Sequence, residues 1–307
     1  MAAQRDLVVA ELVAVITAVQ DREPLVLTTA DGRRLPSGPL EPGHRSMQAG
    51  MRSWVEQQTG YDLGYVEQLY TFADRDRGDR PVLEVSYLGL TTVPARTAQW
   101  RGWYEYFPWE DRRDGDDTVA RTIAPALARW AEAARDEDRE RRRLRAAVTF
   151  GLDGRPWLPG LTLQRYELLY EAGLVPEAHG DRRGPGGNGS GPGDGVPGAD
   201  MDRHHRRILA TGVARLRAKI QYRPVVFELM PGAFTLGGLQ TTVEALAGQH
   251  LHKQNFRRLV EQQELVEETG DVDADTGGRP AKLFRFRRQV LDEREAAGTK
   301  LPIPRTR

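Results

Sequence analysis

Lys253, Gln254, Asn255, Arg257 and Arg258 fall within six consecutive positions, and their side chains are suited to reading nucleic acid. Asparagine pairs bidentately with an adenine edge and arginine with a guanine edge, while basic side chains elsewhere more often meet phosphate. Asn255, Arg257 and Arg258 are therefore candidates for the groove. A second basic set follows in Arg279-Pro280-Ala281-Lys282-Leu283-Phe284-Arg285-Phe286-Arg287-Arg288, which holds five Arg or Lys and no acid. Arg279 and Lys282 are candidates for the phosphate backbone.

The elements that must position these groups can be read around them. Thr235, itself a candidate DNA contact, caps a helix with Leu236, Leu239, Val243 and Leu246 on one face, and Gly248 ends it. A second helix, from about His252 to Gln263, is expected to bury Phe256, Leu259 and Val260. The later basic run alternates apolar and charged residues, as a β-ribbon with one buried face would. Helix, turn, helix and basic hairpin together describe a winged helix-turn-helix that reads DNA. A helix pair alone serves equally well as a core element; the basic hairpin is what tips the reading toward DNA.

With 307 residues the chain has room for two domains and their cores. Its 44 basic and 44 acidic residues cancel, which leaves local basic patches possible. The absence of cysteine excludes disulfides, thiolate metal sites and cysteine nucleophiles. No stretch resembles a membrane span or a signal peptide, so a cytoplasmic protein without a membrane partner is expected.

Leu7 to Thr29 reads as two strands, His44 to Thr59 as a helix ended by Gly60, and Tyr65–Phe72 and Val82–Leu90 as further strands. These elements describe an α/β domain, a mixed sheet with flanking helices, over residues 1–150. Six aromatic residues between Trp100 and Trp109 suit a core plug better than a stacking surface. A helical connector is expected over 151–179 and a disordered Gly/Pro-rich linker over 180–200. A connecting helix over 201–222, with His204 and His205 on its surface, then leads to the winged helix over 223–307. The arginine run from Arg139 to Arg145 reads as a solvated helix face.

The stretch from Gly38 through Arg52, Ser53, Trp54, Val55, Glu56, Gln57 and Gln58 to Gly60 resembles a degenerate Nudix box. Anchored on Gly60, the two metal-binding glutamates of the pattern fall on Gln57 and Gln58. Anchored on Gly38, Arg52 and Glu56 match, and His44, Ser53 and Gln57 replace glutamates. Either way at most one acid survives. A hard divalent cation needs several carboxylate oxygens to activate water against a diphosphate, so little hydrolase activity is expected.

An eroded Nudix domain followed by a winged helix resembles the Nudix-related transcriptional regulators of NAD metabolism, the NrtR family, in a longer branch. The resemblance rests on Trp54–Gly60, Tyr65–Phe72 and Trp103–Asp111 in the first domain. In the second it rests on Leu216–Tyr222, Phe234-Thr235-Leu236, Asn255–Arg258 and Gly278–Phe286. It implies a homodimer that binds double-stranded operator DNA near NAD biosynthesis or salvage genes. It also implies a nucleotide effector, ADP-ribose or another NAD-derived nucleotide, with no required cofactor and no bound metal. Glu67, Gln68 and Tyr70 on a strand, with Arg75 and Arg80 after it, are the candidate effector contacts. The alternatives are a divergent Nudix hydrolase acting on ADP-ribose or a similar diphosphate, and a nucleotide-binding protein whose C-terminal module packs on protein.

Overall fold

The computed structural model describes residues 8–61, 63–75, 81–92, 97–115, 117–182, 195–274 and 280–289. Strand β1 (Val9–Gln20) organises the first half. Along one edge it pairs antiparallel with β2 (Glu23–Leu27) and β3 (Ser37–Pro39), and along the other it runs parallel to β5 (Pro81–Leu90). Strand β4 (Tyr65–Arg75) pairs with β5, and β6 (Trp100–Gly102) with β2, giving the order β4-β5-β1-β2-β6. The strand alternation separates two apolar faces. Leu12, Ala14, Ile16 and Ala18 meet Met51 and Val55 of helix α1 (Met47–Thr59). Val13 and Val15 face the other way, into a core shared with the C-terminal half.

Helix α1 starts where Ser46 Oγ accepts from the Ala49 amide at 3.1 Å and ends at Gly60, which takes the left-handed conformation at φ 74°. After the one-turn helix α2 (Trp103–Tyr106), the chain adds α3 (Ala124–Glu132), α4 (Asp136–Phe150) and α5 (Thr162–Glu171). Trp100, Trp103, Tyr106, Phe107 and Trp109 are all buried, so the aromatic run is core. The arginines of α4 pair with neighbouring acids such as Glu132, Asp136 and Asp138.

The connecting helix α6 spans His205–Lys219, shorter at both ends than expected. It crosses the sheet where Gly212 rests on Val15; a Cβ there would stand 2.8 Å from the Val15 Cγ1. His205 is buried, contrary to its expected surface position. Its Nδ1 accepts the Leu35 amide at 3.2 Å, and burial beside Arg34 and Arg203 pulls its pKa down to about 3. Two described ends of the expected linker are built into the fold. A 3-10 turn covers Pro176–Arg182, Val196 is buried, and the Ala199 amide donates to Glu105 at 2.8 Å. Among the described residues no helix is long and apolar enough to cross a membrane.

The last part consists of α7 (Leu236–Ala247), α8 (Lys253–Gln262) and a small sheet of order β7-β9-β8, with β7 Phe234–Thr235, β8 Val266–Asp273 and β9 Ala281–Phe286. Its core, Val226, Phe227, Leu229, Leu239, Leu246 and Val260, is continuous with that of the first half.

Candidate functional site: nucleic-acid interface and polar pocket

Helix α7 begins at Thr235, whose hydroxyl accepts the Gly238 amide at 3.0 Å. This half-buried side chain is committed to the cap, so what it offers DNA is the position of the helix start. Gly248 closes α7 at φ 67° and lies against the Glu110 carbonyl, where a Cβ would overlap the main chain. Helix α8 follows after the five-residue turn Gly248–His252 and exposes Lys253, Gln254, Asn255, Arg257 and Arg258. Among the described residues, Lys253, Arg257 and Arg258 have no acidic partner, so their charge is available to a ligand. Val260 anchors the helix and Phe256 is half-buried, but Leu259 is 53% exposed, against the expectation that it packs inside.

The hairpin is less basic in space than in sequence. Lys282 Nζ lies 2.8 Å from Glu268, Arg285 Nε lies 2.7 Å from Glu267, and Arg287 lies 3.3 Å from Glu264. Antiparallel pairing sets the acids of β8 beside the bases of β9 and offsets part of the charge assigned to the wing. Arg279 lies outside the described residues. Among the described residues of the helix-turn-helix and its hairpin, the positive charge that no acid pairs is therefore concentrated on α8.

The box segment forms most of the helix expected from periodicity over His44–Thr59, with side chains engaged in structure. Arg52 donates to the carbonyls of Leu63 and, at 2.8 Å, Gly64. Trp54 lies flat on Gly38, leaving no room for a Cβ, and its Nε1 donates to Pro39 O at 2.9 Å. Gln57 donates to Ser53 at 3.0 Å, and Glu56 is exposed. Gln58 clasps β3: its Oε1 accepts the Ser37 amide at 3.2 Å, and its Nε2 donates to Ser37 O at 2.6 Å. A glutamate there could only accept, and would set an anion against the Ser37 carbonyl unless a cation stood between them. Among the described residues no group of three or more His, Asp or Glu is disposed to hold a metal ion. These residues do not fit a divalent cation.

Beside Gln58 opens a cavity of about 500 Å³, lined by Thr28, Asp31, Gly32, Arg34, Ser37 and Gln99 among others. Its lining is rich in hydroxyl, amide and charged groups. The candidate effector contacts lie elsewhere. Glu67, Gln68, Tyr70 and Arg75 are on β4, at the opposite edge of the sheet from β6. Glu67 is held by Lys219 and by the Tyr65 hydroxyl at 2.9 Å, and Gln68 and Tyr70 are exposed. Arg75 closes β4, and Arg80 lies outside the described residues.

The segment from Trp103 to Arg112 spans the distance between the cavity and the helix-turn-helix. At one end Tyr106 donates to the Gly32 carbonyl at 2.6 Å; burial pushes this hydroxyl's pKa up to about 12. At the other, Tyr104 donates to Ala245 O at 2.6 Å and the Arg112 amide to Gly248 O at 2.8 Å. Between them the fully buried Glu110 binds Arg165 at 2.5 and 2.9 Å and also holds Arg217 of α6, whose Nε donates to Leu246 O at 2.7 Å. Sequence reading assigned none of this. The available signal was an arginine on the apolar stripe Val213, Leu216, Ile220, and a glutamate closing an aromatic run.

Residues 226–286 match the NrtR DNA-binding winged helix domain. A segment of 93 residues, 30% of this chain, is 40% identical to the ADPR responsive transcriptional repressor NtrR of Acinetobacter baylyi; the match spans 37% of that relative's length. The whole chain resembles NrtR of Shewanella oneidensis, solved with a 27mer DNA, with a TM-score of 0.52 and 18% identity over 92% of this chain and 95% of that one. It also resembles a MutT/nudix family protein from Enterococcus faecalis, with a TM-score of 0.51 and 14% identity over 92% and 90% of the two chains. The chain thus has the fold of these two structures, an α/β domain of Nudix-like architecture joined to a winged helix, and its residues 226–286 match the NrtR DNA-binding winged helix domain.

Proposed function

We propose that this protein is a DNA-binding transcriptional repressor of NAD biosynthesis or salvage genes whose Nudix-like domain senses ADP-ribose or a related NAD-derived nucleotide. The observation that carries this reading is α8, an exposed helix in an NrtR-type winged helix with three basic side chains that no described acid neutralises. Such a helix supplies both groove contacts and a phosphate-directed field. A homodimer acting on a palindromic operator suits a reader with one recognition helix per chain.

The polar cavity beside Gln58 is the effector site in this reading, in place of the β4 residues. Arg34 lies within reach of a diphosphate there, and Thr28, Asp31 and Gln99 offer partners to ribose and base. An effector can change DNA affinity only by binding two states of the protein unequally. The hydrogen bonds from Gly32 through Tyr106 to the Gly248 turn supply a contiguous route by which occupancy of the cavity bears on the angle between α7 and α8. In this reading the sensing and DNA-binding halves pack on one core.

A hydrolase is the weaker reading, because Gln58 donates a hydrogen bond where a carboxylate would have to bind metal. The test is ADP-ribose binding by calorimetry, with AMP release measured in parallel in Mg²⁺ and Mn²⁺. Binding without turnover, weakened at least tenfold in Arg34→Ala, is the expected result. Metal-dependent AMP release abolished by chelation would overturn it.

A further inference from the structure

A second cavity, of about 320 Å³, lies inside the DNA-binding half, between the end of α6 and the back of α8. Ile220, Val226 and Phe227 wall it on one side, and Leu239, Val243 and Phe256 on the other. Its size is at the lower end of small-molecule sites, which run from roughly 300 to 1,000 Å³. It opens to solvent beside Tyr222 and Leu259, which are 61% and 53% exposed, and apolar side chains left exposed around a concavity of this size invite an occupant.

The charges around it indicate what kind. Among its described lining residues are two charged side chains, buried Arg217 and exposed Arg223, and no acid. Arg217 shares the single carboxylate of Glu110 with Arg165, so that buried cluster carries one positive charge in excess. Arg223 has no acidic partner among the described residues. The amides of Gln221, Gln249 and Gln263 supply the remaining polar lining. Apolar walls, with Arg223 at the mouth and a buried cluster of net positive charge beneath, complement a molecule that is hydrophobic over most of its surface and anionic at one end.

We propose that this cavity binds a small amphipathic anion, a flat apolar body bearing one carboxylate or sulfonate, at a site separate from the pocket beside Gln58. The occupant touches Ile220 and Phe227 on one side and Phe256 and Val260 of the recognition helix on the other. It therefore bears on the seating of α8, and its effect on DNA binding does not require the nucleotide.

The experiment is a fluorescence titration of the intact protein with anilinonaphthalene sulfonate. One saturable site per chain is expected. Val243→Trp, which fills the cavity, weakens the probe at least tenfold. Arg223→Glu, an exposed charge reversal, weakens it several-fold without lowering the melting temperature. No saturable binding to the wild type, or equal affinity in both variants, overturns the proposal. Loss in Val243→Trp with no change in Arg223→Glu overturns its anionic part.

Discussion

Replacing Glu110 by Gln removes one negative charge and almost no volume from a fully buried polar cluster. Glu110, Arg165 and Arg217 are each 0–1% exposed, and the carboxylate meets both guanidiniums and the Thr162 hydroxyl at 3.2 Å. Arginine does not shed its proton in proteins, so the variant buries two cations without a counter-charge. Breaking a buried pair from one side costs about 3–5 kcal/mol. At about 2 °C per kcal/mol, the value suited to a chain of this length, the melting temperature falls by roughly 6–10 °C at pH 7. Acid gives an independent check. Burial alone would raise the Glu110 carboxyl, but Arg165 and Arg217 outweigh it and hold it below the usual carboxylate range. A depressed folded pKa contributes stability above the unfolded value of about 4.3 and loses it as pH falls through the folded value. The gap between wild type and Glu110→Gln therefore narrows below pH 4. Melts followed by circular dichroism from pH 7 to pH 3 supply the data, with Glu132→Gln in an exposed pair as a control expected to cost less than about 1 kcal/mol. A Glu110→Gln loss as small as the control, or a gap that stays constant with pH, would refute the reasoning.

Other outcomes follow from single contacts. Tyr106→Phe deletes the bond to the Gly32 carbonyl; operator affinity should hold within about threefold while the shift caused by ADP-ribose shrinks, and an unchanged shift would remove this residue from the coupling. Arg258→Ala should weaken operator binding more than Lys282→Ala, whose side chain is already paired with Glu268, by about 1–3 kcal/mol for a base contact; the reverse order in anisotropy titrations would count against α8. His205 is neutral and buried with its pKa near 3, below an unfolded value of about 6.5. The unfolded state therefore binds more protons between those values, so stability is full above pH 6.5 and falls as pH drops. His205→Asn should flatten that slope by up to about 1.4 kcal/mol per pH unit, and an unaltered slope would contradict the assignment. Joint replacement of Gln57 and Gln58 by Glu should destabilise the protein in EDTA by about 1–3 kcal/mol through loss of the bond to Ser37 O, with Mn²⁺ restoring part; melts that ignore the metal would show that the clasp is not standing in for a cation.

Local signals were legible in the sequence. Thr235 and Gly248 bound the first helix as their side-chain chemistry requires, Gly60 ends the box helix, and alternation in the first half gave the mixed sheet. What failed depended on partners far along the chain. Glu110, at the end of an aromatic run, finds Arg217 more than a hundred positions away. His205 was placed on the surface because helix spacing gives no sign of the Leu35 amide it accepts. Leu259 was assigned to the core because apolar residues at helical spacing do not announce which of them faces a cavity. The basic run after Gly278 looked like a free wing because the acids that offset it lie on the other strand of the hairpin. The Gly-rich segment hid its packed end at Val196 for a similar reason, since composition says nothing of a single buried side chain.

The central claim, a DNA reader whose affinity an NAD-derived nucleotide alters, is tested most directly by fluorescence anisotropy on DNA from upstream of the protein's own gene. Titrations are run at several salt concentrations, with and without ADP-ribose. The account predicts tight binding that weakens steeply with salt, as expected when several phosphates are contacted, and a several-fold shift of affinity on adding ADP-ribose that Arg34→Ala abolishes. No binding to this DNA or to promoters of NAD genes, or an affinity that ADP-ribose leaves unchanged, would contradict it.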